Sequence, residues 1–257
     1  MKAISRHVRL ALVFLSLTSW GAHTRAETKI QPVSVAATAA TKFAQYGHPG
    51  AWLIKPDQAA AKVLYGEALA EQRVLPASTF KVLLALIALE TSALKNVTEI
   101  VPWDGQNYPN QPLWQADMAL KAAMQSSNES YFKVLAGRIG HTQLASWVSH
   151  VGYGNARIGA DVRKVWVDGI LTVTAGEQLA FIDRLRRSDL PFKSAHLDAV
   201  KSVLLDSEVN GYRIYGKTGT YLSDAKLPGT GWWIGWVDAP GTGSGISFVL
   251  QDRKSVV

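Results

Sequence analysis

Ser78 and Lys81 stand one helical turn apart in Pro76-Ala77-Ser78-Thr79-Phe80-Lys81, and the run that follows, Val82 to Leu89, is apolar on every side. A helix without a polar stripe packs in an interior, so Lys81 is carried inward with it. Burial penalises the ammonium form, and a neutral amine beside a hydroxyl is a base beside a nucleophile. Serine alone is a weak nucleophile; an adjacent base activates it. The same amine can take up carbon dioxide as a carbamate. Free N–H groups at the helix start favour negative charge near Ser78. The chemistry this predicts is attack by Ser78 on a carbonyl while Lys81 accepts its proton.

Ser-x-x-Lys is a short motif, and Ser92–Lys95, Ser130–Lys133 and Ser223–Lys226 match it too. Only Ser78 combines a Pro-led entry with a fully apolar continuation. A capping serine followed by a snorkelling lysine is the competing account of the same residues. A second motif bears on the choice. Lys217-Thr218-Gly219-Thr220 follows the strand-like Tyr212-Arg213-Ile214-Tyr215, and Gly231 to Val237 forms a second run rich in aromatic and β-branched residues. An antiparallel pair built from them would present a positive charge, a hydroxyl for a substrate carboxylate and a glycine permitting close backbone approach. A surface β-turn is the alternative for Lys-Thr-Gly alone. Together and in this order, the two motifs match the pair described for β-lactamases and penicillin-binding proteins.

The chain resembles the class D, oxacillinase-type serine β-lactamases. The resemblance runs from Pro76 to Val237 and is carried further by Tyr153-Gly154-Asn155, Trp103-Asp104-Gly105 and Val165-Trp166-Val167-Asp168 followed by Glu177-Gln178. It implies hydrolysis of β-lactams through an acyl-enzyme on Ser78. Lys81 would be the base, Ser127 the proton relay to the departing ring nitrogen, and Lys217 the group that tunes Ser127. Thr218, Gly219 and Thr220 would contact the substrate, with the N–H groups of Ser78 and Thr220 as oxyanion hole. Trp166 completes the implied set by donating its indole N–H to a carbamylated Lys81. No cofactor is implied beyond carbon dioxide or bicarbonate for that modification, and no metal. One motif departs from the family pattern. Where Ser-x-Val belongs, this chain has Ser126-Ser127-Asn128-Glu129-Ser130. Ungapped spacing selects Ser127 and sets Glu129 at the valine; a one-residue shift gives Ser126-x-Asn128, the form resembling penicillin-binding proteins. A carboxylate at position 129 would repel a carbamate or pair with the ammonium.

These residues need a frame. A chain of 257 residues with 47% hydrophobic content can bury a full core. Helical patterns fall at Val35–Ala44, Ala116–Met124, Tyr131–Ile139, Gln143–His150, Gly176–Arg187 and His196–Leu205; strand patterns fall at Ala51–Ile54, Lys62–Tyr65, Tyr212–Gly216, Gly231–Val237 and Gly245–Leu250. The expectation is an α+β fold: an antiparallel sheet built from both ends of the chain, flanked by helices, with an all-helical region inserted between. The site would lie at the seam, with Ser78 and Ser127 from the helical part and Lys217 from the sheet. A penicillin-binding or sensor protein that is acylated without turnover would share this frame.

Residues 1–26 read as a secretory leader, with Lys2, Arg6 and Arg9 ahead of an apolar core and Thr24-Arg25-Ala26 at the cleavage position. The expected location is therefore periplasmic or secreted, with no membrane association after its removal. Losing its four basic residues takes the formal net charge from +7 to about +3, which gives no nucleic-acid face. No cysteine is present, excluding disulfides and thiol chemistry, and the six histidines lack metal-ligand spacing. The β-lactamase-like domain is expected over 27–251. Residues 252–257, back-translated as GAT CGG AAG AGC GTC GTG, coincide with one frame of a widely used sequencing adapter, so the native frame is expected to diverge near Gln251, taking with it a closing helix and a carboxylate-binding arginine.

Overall fold

The computed structural model describes residues 35–47, 49–222 and 229–253; the expected leader, Ser223 with Lys226 and residues 254–257 lie outside that range. Helix α1 (Val35–Tyr46) leads into strands β1 (Gly50–Pro56) and β2 (Lys62–Tyr65), then the short α2 (Glu67–Ala70). Helices α3 (Phe80–Glu90), α4 (Leu120–Gln125), α5 (Glu129–Ile139), α6 (His141–Val151), α7 (Ala175–Arg186) and α8 (Ser194–Val203) follow before the chain returns to strands. These are β3 (Leu205–Val209), β4 (Tyr212–Tyr221), β5 (Thr230–Asp238) and β6 (Gly245–Asp252). One antiparallel sheet results, in the order β2-β1-β6-β5-β4-β3. The two ends of the chain meet in it, since β1 pairs with β6 from Gly50 opposite Asp252 to Pro56 opposite Ile246. The architecture is the α+β sheet with an inserted helical region that the patterns imply.

Each face of the sheet buries one cluster. On one side Ala39 of α1 packs with Trp52, Ile54, Ile214, Trp233 and Phe248. On the other lies the main core, where every residue of α3 from Phe80 to Leu89 is buried. Each large apolar side chain withdrawn from water there contributes roughly 1.5–3 kcal/mol. That is the force that carries Lys81 inside.

Several elements differ from their sequence patterns for tertiary reasons. The helix expected from Ala116 begins only at Leu120, because Val101 and Met118 exchange backbone hydrogen bonds of 3.0 and 3.2 Å and hold the preceding residues extended. The strand expected to stop at Gly216 continues to Tyr221, in unbroken register with β5 from Arg213 opposite Asp238 to Tyr221 opposite Thr230. The helix expected to reach Leu205 stops at Val203, and Leu205 turns into strand to pair with Tyr215. The last strand runs two residues past Leu250.

Candidate active site

Ser78 sits in a single 3-10 turn, Ala77–Thr79, that feeds directly into α3. Ala77 is held at φ +48°, a left-handed conformation that costs a non-glycine residue on the order of 1 kcal/mol or more. Ser78 is only partly buried at this turn, while Lys81, one turn on, is fully buried. Lys81 Nζ lies 3.0 Å from Ser78 Oγ. The same nitrogen donates to the Ser127 carbonyl at 2.8 Å and meets Ser127 Oγ at 3.4 Å. Aromatic rings surround it, with Phe132, Trp114 and Trp166 centroids at 5.6, 5.8 and 5.9 Å. Rings tolerate a cation, yet they do not replace water. Burial pulls the Lys81 pKa from 10.5 down to about 7, against the upward pull of Glu129's negative charge and with a further downward push from Lys133.

The serine between the lysines is Ser127. Lys217 Nζ donates to its Oγ at 3.0 Å, while Ser126 turns away and donates to the Ala122 carbonyl at 2.8 Å. Ser127 is itself left-handed, at φ +52°, between the end of α4 and the Asn128 cap of α5, whose side chain accepts from Tyr131 N–H. The cap fixes the turn; the turn aims the hydroxyl. Burial, and then the nearby Lys81 charge, hold the Lys217 pKa well below its ordinary value. The sequence suggested a permanent positive charge at Lys217; the structure instead gives two buried lysines around one hydroxyl, which cannot both be charged at low cost.

Lys217 enters on β4, beyond the point where β3 stops pairing at Tyr215. From Lys217 to Tyr221 one edge of β4 has no strand partner among the described residues, and it runs beside the nucleophile turn. Gly219 makes that approach possible. A Cβ there would stand 3.1 Å from the Ser78 nitrogen and 3.0 Å from the Thr79 nitrogen. Thr218 and Thr220 are exposed along the same stretch. Trp232, on β5, ties the sheet to the segment before the nucleophile through its indole N–H, 3.0 Å from the Leu75 carbonyl.

One implied contact needs correction, that of Trp166 with the substrate. Trp166 is fully buried, stacked on Phe80, and its indole N–H has no acceptor among the described residues. Its full burial keeps it from a substrate; the donation implied for it concerns a carbamylated Lys81, and the free amine makes its hydrogen bonds to Ser78 and Ser127 instead. Glu129, expected to repel a carbamate on Lys81 or to pair with its ammonium, pairs with Lys133 at 3.3 Å, while its charge still raises the Lys81 pKa. Lys133 belongs to no catalytic motif, and its i,i+4 spacing from Glu129 is the one sequence signal of this pair. Lys133 also lies 5.2 Å from the centroid of Tyr108, whose hydroxyl donates to Asp104 at 2.6 Å. Asp104 N–H in turn donates to Ser130 Oγ at 2.9 Å, which places the Trp103-Asp104-Gly105 segment against the start of α5. Tyr153-Gly154-Asn155 supports the loop bearing Trp166: Gly154 has φ +58°, and a Cβ would stand 2.4 Å from the Thr172 carbonyl.

A serine with a buried lysine one turn away, a second serine shared with a second lysine, and a sheet edge beside them define a serine acyl-transfer site. The family model of the penicillin binding protein transpeptidase domain matches residues 38–255. A relative in Bacillus subtilis, probable beta-lactamase YbxI, is 33% identical over 188 residues, spanning 73% of this chain and 69% of that one. Beta-lactamase OXA-5 of Pseudomonas aeruginosa is 34% identical over 172 residues, 66% of this chain and 64% of that one. The solved structure of the class D β-lactamase YbXI from Nostoc superposes with a TM-score of 0.77 at 32% identity, covering 83% of this chain and 88% of that one. The chain belongs to the penicillin-binding-protein transpeptidase family and, within it, to the class D β-lactamases.

Proposed function

We propose that this protein hydrolyses β-lactam antibiotics by two successive acyl transfers through Ser78. The observation that carries the reading is the 3.0 Å contact between Ser78 Oγ and a fully buried Lys81 whose pKa is about 7. Near neutral pH a large fraction of Lys81 is the free amine, so it can accept the hydroxyl proton as Ser78 attacks the lactam carbonyl. The oxyanion is received by the Ser78 N–H and by an N–H of the exposed β4 edge, Thr220 being the candidate. As the C–N bond breaks, Ser127 gives its proton to the ring nitrogen and is reprotonated from the lysine on either side. Lys217, with the polar groups of Thr218, meets the substrate carboxylate as it enters. In the second half Lys81 removes a proton from water as it attacks the ester, and Ser78 leaves with that proton returned.

The surroundings of Lys81 also suit a carbamate. Trp166 offers a buried indole N–H without an acceptor among the described residues, and a carbamate on Lys81 would supply oxygens to accept it and a stronger base for the deacylating water. The charge of Glu129 opposes a second anion there, and its pairing with Lys133 reduces that opposition. We further infer export to the periplasm or the medium, on the basic and then apolar character of residues 1–26.

A nitrocefin assay combined with mass spectrometry tests the function. The expected result is continuing turnover, with a transient penicillin adduct on the peptide containing Ser78. A stoichiometric burst without turnover would favour a penicillin-binding or sensor role on the same frame, and an adduct on Ser92, Ser127 or Ser130 would overturn the assignment of the nucleophile.

A further inference from the structure

Behind the nucleophile turn runs a buried chain of side-chain hydrogen bonds that the mechanism above does not use. Tyr153 Oη donates to Gln178 Oε1 at 3.1 Å, Gln178 Nε2 donates to Thr79 Oγ1 at 2.6 Å, and Thr79 Oγ1 donates to the Pro76 carbonyl at 2.6 Å. Gln178 and Thr79 are fully buried and Tyr153 is 2% exposed. Its direction is set from one end. The Pro76 carbonyl can only accept, so the threonine proton goes to it and Thr79 Oγ1 accepts from the Gln178 N–H; the amide oxygen is then left to accept from the Tyr153 hydroxyl. The last link closes the turn that contains Ser78.

That turn requires an external tie. Ala77 is left-handed, at φ +48°, and Thr79 N–H reaches the Pro76 carbonyl only at 3.3 Å. The support beneath Gln178 is firm. Its helix, α7, opens with a reciprocal capping box between Thr174 and Glu177. Arg73 grips Glu177, and Val74 and Val173 exchange backbone hydrogen bonds of 3.0 and 2.8 Å. The residues leading into the turn are thereby fastened to the start of the helix that supplies the amide.

We propose that Gln178 is a positioning residue for acylation, acting through Thr79 to hold the Ser78 turn in its strained, attack-ready geometry. This rests on the reading of Ser78 as the acylated residue. Among the described residues the Gln178 side chain has no hydrogen bond to Ser78 or Lys81; its effect passes through the Thr79 hydroxyl, and that hydroxyl is what the test removes. In Gln178→Met both polar ends are lost at similar length. Thr79→Val loses the hydroxyl while keeping the shape, and Thr79→Ser restores it.

The experiment measures single-turnover acylation by nitrocefin of the folded protein, normalised to the fraction of molecules that take a penicillin adduct on the Ser78 peptide, alongside Tm and the deacylation rate. Gln178→Met and Thr79→Val are each expected to slow acylation by about 10- to 100-fold, with deacylation changed less and with the double variant no slower than the worse single one. Thr79→Ser should stay within about threefold of the parent. Folded Gln178→Met that acylates at the parent rate with only a lower Tm overturns the proposal. If that variant does not fold, the Thr79→Val and Thr79→Ser pair decides by the same criterion. Failure of the unaltered protein to take an adduct on Ser78 would instead overturn the functional reading.

Discussion

Lys81 illustrates how a catalytic group is maintained against stability. Its pKa falls from 10.5 to about 7 chiefly because burial disfavours the ammonium, a shift corresponding to roughly 5 kcal/mol between protonation states. In the unfolded chain the amine titrates near its ordinary value. Below about pH 7 both states are protonated and the fold carries the full penalty; as pH rises from there toward 10.5 the folded state releases its proton first and the penalty fades. Lys81→Met should therefore abolish turnover while raising Tm by several degrees in buffer free of carbon dioxide. The gain should be larger at about pH 6 than at about pH 9. Thermal melts at the two pH values check it; a uniform loss of Tm would contradict the argument. In the unaltered protein the acylation rate should climb with pH through about 7. Glu129 raises that midpoint and Lys133 lowers it, so Glu129→Gln should move the acid limb to lower pH and Lys133→Met to higher pH. A pH–rate profile of single-turnover acylation separates the two, and shifts of the same sign would refute the electrostatic account.

At the scale of elements, the site depends on how closely β4 approaches the start of α3. Only a hydrogen at position 219 permits it, since a Cβ would press on the backbone nitrogens of Ser78 and Thr79 at 3.1 and 3.0 Å. Backbone cannot move aside as a flexible side chain can. Gly219→Ala is expected to displace the strand edge by a few tenths of an ångström and to slow acylation by about 10- to 100-fold, with Tm changed little because β4 keeps its pairing with β5. Single-turnover kinetics beside a melting curve would show this. A parent-like rate would mean that the edge is not used by the substrate. The elements themselves were unequally legible in the sequence. Helix α3 announces itself through an unbroken apolar run, and β2 follows directly from its residue types. The strand β3, Leu205–Val209, carries Asp206 and Glu208 and has no apolar alternation to display; it exists because β4 offers it an edge. Residues Ala116–Ala119 have helical composition but are held extended by the Val101–Met118 bridge.

Across the whole molecule, the sheet and the helical region are joined by polar as well as apolar contacts. Asp183 of α7, 2% exposed, accepts from Lys55 of β1 at 2.5 Å and from Ser247 of β6 at 3.0 Å, and Arg187 lies at 3.1 Å. Burial alone would raise its pKa, yet the hydrogen bonds from Lys55 and Ser247 and the adjoining positive charges hold it below the ordinary value. Asp183→Ala leaves Lys55 and Ser247 facing an apolar gap, and should cost about 3–5 kcal/mol, read as a lower urea midpoint. The contribution of Asp183 is present above the ordinary aspartate pKa and is lost as pH falls through its lower folded value. The acid unfolding of the parent should accordingly be steeper than that of Asp183→Asn. Equal acid limbs would place the coupling of the two regions elsewhere.

What the sequence determined by itself was what one segment can specify: the i,i+3 spacing of Ser78 and Lys81, the apolar helix that buries the lysine, and the strand that leads into Lys217. Helical and strand geometry are local, so residue types and spacing suffice to read them. The tertiary structure decided what depends on segments far apart in the chain. Lys217 meets Ser127 across 90 residues, and that contact selects Ser127 over Ser126, which spacing had left open. It decided that Trp166 is buried with its indole N–H unpaired among the described residues, that Glu129 turns to Lys133, and that Gln178 reaches Thr79 across 99 residues. The physical reason is the same in each case. The direction of a side chain and the partner that satisfies it are fixed only when packing has removed the alternatives, and packing is a property of the folded whole.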